Sequence, residues 1–185
     1  MTLVVPHAPE LLRLEIERLW NGAAAPDPRR RGRVDLSAWE SGLRVEARLE
    51  GPGPSRVPDA PVGTRVADLW HYDVLECFLA GAEGDYVEVE LGAGGHFLVL
   101  SFEGPRQLRD AREQLALEVD HERDSQGWRT AITLPWRCVP EPLCALDAFA
   151  IIGETHLAFS PMPGIEPDFH QPDAYPRARL AGRRS

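Results

Sequence analysis

A chain of 185 residues is long enough to fill one core and short for two, so a single domain spanning residues 1–185 is expected. Its formal charge of −9 disfavours nucleic acid and anionic membranes, which both require clustered positive charge. All of its positive side chains are arginine, so Schiff-base chemistry, a phosphate-loop lysine and a lysine general base are excluded.

Three cysteines, Cys77, Cys138 and Cys144, form no CxxC pair. Their odd number and the lack of a recognisable signal peptide point to a reduced, cytoplasmic protein. No run of apolar residues approaches transmembrane length.

In chain order, residues 1–9 open the chain, and residues 12–20 then alternate apolar and charged side chains. This predicts a strand with one wet face, with a helix as the alternative because Leu, Glu and Arg favour helices. Residues 21–33, with Pro26, Pro28 and the run Arg29-Arg30-Arg31, read as a solvated loop. Residues 34–37 and 43–49 alternate again around Ser41-Gly42, the pattern of a hairpin. The proline-rich stretch that follows is too irregular for a ladder. Residues 51–69 are therefore expected to form a long loop that delivers the chain to Trp70.

Three strands follow at residues 74–79, 86–91 and 96–102, separated by glycine-bearing hairpin turns. The first is strongly apolar except at Glu76 and Cys77, so both of its faces look covered. Glu76 must then find partners inside the fold, open onto a polar pocket, or hold a proton. In the second strand Val87, Val89 and Leu91 point one way while Glu88 and Glu90 point the other, which predicts one dry face and one solvated face. Residues 105–114 are read as a short helix with Leu108 and Ala111 inward. Residues 115–121 and 128–134 form a hairpin around Asp124-Ser125-Gln126-Gly127, and Pro135 ends it. Residues 148–159 read as one long apolar strand interrupted by Gly153, Glu154 and His156, and residues 160–185 as an extended, proline-rich segment. About eight to ten short strands with glycine turns predict an all-β protein, an antiparallel β-sandwich or barrel with at most one or two short helices.

Three segments together carry a family resemblance. Leu69-Trp70-His71-Tyr72-Asp73-Val74-Leu75-Glu76-Cys77-Phe78-Leu79 followed by Asp85-Tyr86-Val87-Glu88-Val89-Glu90-Leu91, then Trp128-Arg129-Thr130-Ala131-Ile132-Thr133-Leu134-Pro135-Trp136, then Ala150-Ile151-Ile152-Gly153-Glu154-Thr155-His156 with Ser160-Pro161, resemble the carbohydrate-binding module family 9 type of β-sandwich. More narrowly, Trp70-His71-Tyr72-Asp73-Val74-Leu75-Glu76 with Pro167-Asp168-Phe169-His170-Gln171-Pro172 is similar to a small family of bacterial and eukaryotic proteins whose function is not established. The resemblance covers roughly residues 69–180. It implies a stacking role for Trp70 and a polar role for Glu76 toward a sugar. Some sugar-binding relatives hold calcium, so calcium is a possible cofactor by resemblance, although no motif here indicates it. Related domains carry haem, but no axial ligand pair can be assigned in this chain.

On residue type alone, Trp70, His71, Tyr72, Glu76, His156 and His170 are the candidate ligand-binding residues. An aromatic ring against a sugar C–H face, with carboxyl groups bonding its hydroxyls, is ordinary carbohydrate recognition. The bland alternatives are that Trp70 and Tyr72 cap the core, that His156 is a hydrogen-bonded core histidine, and that His170 only anchors the C-terminal segment. Glu88 and Glu90, about 7 Å apart on one strand face, could share a cation or flank a glycosidic bond if Glu76 joined them, but solvation is the plainer reading. The histidines show no zinc spacing, so a metal site would need tertiary convergence. The expected function is non-catalytic binding of a small polar ligand, a saccharide being the leading class. The alternatives are a hydrolase or isomerase using Glu76 with a histidine, and a structural or interaction subunit.

Overall fold

A computed structural model of the chain describes residues 1–182. The first strands are β1 (Leu3–Val5), β2 (Leu12–Ile16), β3 (Arg18–Leu19), β4 (Arg31–Trp39) and β5 (Gly42–Glu50). The middle of the chain supplies β6 (Val74–Ala80), β7 (Tyr86–Gly92), β8 (Phe97–Gly104) and β9 (Gln107–Asp110). Then follow β10 (Asp120–Asp124), β11 (Gly127–Pro135), β12 (Ala145–Ile152), β13 (Thr155–Ala158) and β14 (Ala178–Leu180). Among the described residues the only helical pieces are single 3-10 turns at Leu69–His71, Trp136–Cys138 and Pro172–Ala174. None is long and apolar enough to cross a membrane.

The strands build a β-sandwich of two antiparallel sheets. One has five strands in the order β10-β11-β5-β4-β2, and the other has seven in the order β3-β13-β12-β6-β7-β8-β9. A short parallel pair, β1 with β14, ties the two ends of the described chain together. Alternation explains the core between the sheets. Val34, Leu36, Val45, Leu49, Ile132 and Leu134 of one sheet meet Leu75, Cys77, Leu79, Val87, Val89 and Leu91 of the other.

The seven-stranded sheet has a second apolar layer on its outer face. Val74, Phe78, Tyr86, Leu98, Leu100, Phe102 and Phe149 pack there against Met162, Phe169 and Tyr175 of the C-terminal segment. Phe169 lies flat on Phe149, with ring centroids 4.1 Å apart and planes 10° from parallel. The Met162 amide donates to the Trp20 carbonyl at 2.7 Å and anchors the start of the cover. Both faces of β6 and β7 are therefore buried throughout. The solvated face expected for Glu88 and Glu90 does not exist, because a segment remote in sequence lies over it.

Three other expectations are corrected. Residues 105–114 hold no helix; Gln107–Asp110 within them form β9, paired through irregular register with β8. The alternation over residues 12–20 belongs to two strands that change sheets, since β2 pairs with β4 while β3 pairs with β13. Both halves keep the same period, which is why periodicity alone hides the break. The apolar run 148–159 is a hairpin of β12 and β13, turned at Gly153 with φ 62°.

The hairpin of β10 and β11 forms around its expected turn. The Asp124 carboxylate accepts the Gln126 amide at 2.7 Å, and Gly127 sits at φ 148° where an added Cβ would strike the Leu49 carbonyl. The long loop before β6 is also present, and it is pinned. His96 Nε2 bonds the Ala60 carbonyl at 2.9 Å, the Val66 amide donates to the Phe97 carbonyl at 3.0 Å, and Arg65 donates to the Ala111 carbonyl at 2.7 Å. After β13 the described chain carries the 3-10 turn at Pro172–Ala174 and then β14, and its last three positions lie outside the described residues.

Candidate functional site

The outer face of the seven-stranded sheet carries a cavity of about 420 Å³, lined by Trp70, Glu76, Glu88, Leu100, Phe102, Arg106, Leu108, Ile151, His156, Pro167, Phe169 and His170. Antiparallel register assembles its floor. Glu76 on β6 stands directly opposite Glu90 on β7, and Glu88 stands one alternation further along the same face. Donor oxygens of Glu76, Glu88 and Glu90 all lie within 4.8 Å of one another.

All three carboxyls are buried, Glu90 completely. Neither oxygen of Glu90 has a hydrogen-bond partner among the described residues. Burial first, and then the neighbouring carboxyls, push Glu76 and Glu90 well above the usual carboxylate range. Burial pushes Glu88 up to about 8, opposed by the Arg106 guanidinium. Three bare charges cannot coexist here, so protons or a cation must neutralise the floor.

The wall above the floor comes from the C-terminal segment. Tyr86 accepts the Arg106 amide at 3.0 Å, and its hydroxyl is hydrogen-bonded to His170 Nδ1 at 2.8 Å. When the Tyr86 hydroxyl donates in that bond, Nε2 is the protonated nitrogen of the neutral ring. His170 is packed edge-on against Phe78 and Phe102, and burial pushes its pKa down to about 4. Asp168 fixes the wall by accepting from Arg106 at 2.8 Å and from the His170 amide at 3.1 Å. His156 leans on Phe169 at 5.9 Å, and burial also lowers its pKa.

Trp70 forms the rim. It belongs to the 3-10 turn at Leu69–His71, which follows Asp68 in a left-handed conformation at φ 55°. Leu69 is fully buried while Trp70 stays 37 % exposed, so the turn holds its indole up like a bracket.

Four of the six candidate residues, Trp70, Glu76, His156 and His170, thus meet at one cavity. His71 and Tyr72 are not among its lining. His71 points outward beside Trp70, with ring centroids 5.7 Å apart, and Tyr72 packs against the second apolar layer. Glu88 and Glu90, read from the sequence as a solvated pair that could share a cation only if Glu76 joined them, do stand with Glu76, whereas Arg106 and Phe169 were not among the candidates. The two glutamates had a usable signal, since a hairpin between residues 74–79 and 86–91 would put three carboxyls on one face. Phe169 lay inside the motif Pro167-Asp168-Phe169-His170-Gln171-Pro172, and nothing local announced Arg106.

No protein-family model matches the chain. The rat UPF0462 protein C4orf33 homolog is 31% identical over 150 residues, which span 75% of this chain and 74% of the rat protein. The chain belongs to the UPF0462 family. The mouse homolog is 31% identical over 153 residues and human UPF0462 protein C4orf33 29% identical over 171, the latter spanning 84% of this chain and 82% of the human protein.

Among solved structures, this UPF0462 chain superposes on a candidate carbohydrate-binding protein of Bacteroides uniformis with a TM-score of 0.72 at 10% identity, covering 97% of each chain. It also superposes on a carbohydrate binding module family 9 of Caldicellulosiruptor kristjanssonii in complex with cellotriose, with a TM-score of 0.65 at 12% identity, covering all of this chain and 95% of the module. A glucose complex of a family 9 module from the same organism gives 0.65 at 13%. At these identities the likeness establishes the fold of the UPF0462 chain and leaves its ligand to the chemistry of the cavity.

Proposed function

We propose that this UPF0462 protein binds a small polar ligand, a saccharide of roughly one or two rings, without transforming it. The observation that carries the reading is a cavity with two buried carboxyls on its floor and an exposed indole at its rim. Burial raises the pKa of both Glu76 and Glu88 and so favours their protonated forms, and a carboxylic acid both donates and accepts, as sugar hydroxyls require. A neutral ligand then enters without leaving a buried charge unpaired. His170 adds an N–H donor, and Trp70 and Phe169 offer apolar faces to ring C–H groups. The family 9 modules of the same fold, crystallised with glucose and cellotriose, support the ligand class. Residence in a reducing, cytoplasmic compartment belongs to the same proposal, because Cys77, Cys138 and Cys144 are all free thiols.

Titration calorimetry against a panel of mono- and disaccharides tests the reading. A hit in the wild type that weakens roughly tenfold or more in Trp70→Ala supports it. A hit that survives Trp70→Ala unchanged, or no hit at millimolar sugar, overturns it.

A second reading is favoured by one observation. Burial favours the protonated form of Glu76, the form a general acid needs, which would make the protein a hydrolase or isomerase using Glu76 with a histidine. Against it, neither His156 nor His170 is hydrogen-bonded to Glu76 among the described residues, and His170 Nδ1 is engaged by Tyr86. Product formed from a bound saccharide by wild type and absent in Glu76→Gln would place this reading first.

A further inference from the structure

The carboxyl triad is over-supplied with acceptors for a site that only bonds hydroxyls. Glu76 and Glu88 reach the cavity, but Glu90 does not line it, and both of its oxygens are buried without a partner. Buried acceptors left in this state are rare and ask for an explanation such as an ion. The nearby cations do not supply one. Arg106 is committed to Asp168, and Arg65 donates to the Ala111 carbonyl.

We propose that Glu76, Glu88 and Glu90 hold a hard divalent cation, of the calcium, magnesium or manganese class, beneath the floor of the cavity. Oxygens bound to one calcium ion stand at most about 5 Å apart, twice a metal–oxygen distance of roughly 2.3–2.6 Å, and all three donor atoms lie within 4.8 Å of one another, while a smaller ion would need them to close to about 4.2 Å. The donors are carboxyl oxygens throughout, without sulfur or imidazole, which selects a hard ion over zinc or copper. Entry runs through the cavity past Glu76 and Glu88, and the coordination positions on that side are free for water or a ligand hydroxyl. A dication offsets the charge that burial otherwise forbids. With the ion bound the three carboxyls are ionised instead of protonated, so the proposal stands on this cluster and does not rest on the hydrogen-bonding scheme proposed for a saccharide.

The test uses full-length protein, stripped with chelator and dialysed, with each metal chloride alone as the probe and no sugar present. Calorimetry should find a site for at least one of calcium, magnesium or manganese, and the same ion should raise the melting temperature by mass action. Glu90→Gln should bind that ion roughly tenfold or more weakly while keeping its near-ultraviolet circular dichroism. Glu88→Gln provides the same reading if Glu90→Gln does not fold. Absence of binding by all three ions at millimolar concentration overturns the proposal. So does binding that both variants retain, because the ion would then sit on other acids. A saccharide hit with no metal site would sink this inference and leave the saccharide reading standing, and the converse pair of results would do the reverse.

Discussion

Individual side chains in this protein take their roles from how far they are from water and from what faces them. Trp70 is more than one-third exposed in the middle of its turn, so its removal should change stability by less than about 1 kcal/mol while removing the stacking surface. Chemical denaturation of Trp70→Ala checks the first half, and the loss of saccharide affinity checks the second.

Asp147 is the opposite case, fully buried on β12. One carboxyl oxygen accepts from the Ala148 amide at 2.8 Å and the Ser160 amide at 3.3 Å, and the other has no partner. Burial pushes its pKa up to about 7, well above its unfolded value. The folded state thus keeps a proton that the unfolded state has lost. The associated stability is fully present below about pH 4 and is lost as pH rises through 7. The loss is on the order of a few kcal/mol. Asp147→Asn keeps the accepting oxygen and removes the titration, so melting curves from pH 4 to 8 should flatten on the alkaline side. An unchanged profile in the variant would show that Asp147 is not the group responsible.

Between elements, the decisive contact is a buried carboxylate that joins three distant pieces of chain. Asp73, at the entry to β6, accepts from the Gly153 amide at 2.9 Å in the β12–β13 turn and from Arg56 Nε at 3.4 Å in the long loop. Arg30 approaches it at 3.7 Å from the residues before β4. This clamp sets where the loop ends and hence where the 3-10 turn presents Trp70. Asp73→Ala leaves the Gly153 amide unpartnered and should destabilise the protein by about 2–4 kcal/mol. Limited proteolysis should then cut between residues 51 and 68 sooner than in wild type. Equal cutting rates would mean that the backbone bonds of the loop suffice without Asp73. The same scale explains why the hairpin of β4 and β5 was legible and β9 was not. The former declares itself by clean alternation around Ser41-Gly42. The strand at Gln107–Asp110 is exposed along its whole length and exists because β8 offers it an edge. Its propensity alone could not decide between helix and strand.

At the scale of the molecule, the C-terminal segment turns a two-layer sandwich into a structure with two apolar layers. A chain stopped at Phe159 would expose Phe78, Phe102 and Phe149 and lose Met162, Phe169 and Tyr175. It should bind hydrophobic dye and lose its cooperative melting transition. A cooperative transition in the truncated chain would show that the inner core alone sustains the fold. By itself, the sequence determined the all-β class, most strand positions and the glycine turns. These follow from side-chain period and turn chemistry, which act over a few residues. Only the tertiary structure decided that Glu88 and Glu90 are buried, that Glu76 faces Glu90, that His71 and Tyr72 stay away from the cavity, and that Phe169 and His170 close it. Strand register and the covering of a sheet face depend on residues some eighty positions away, and a local pattern of alternation is the same whether the outer face meets water or another part of the chain.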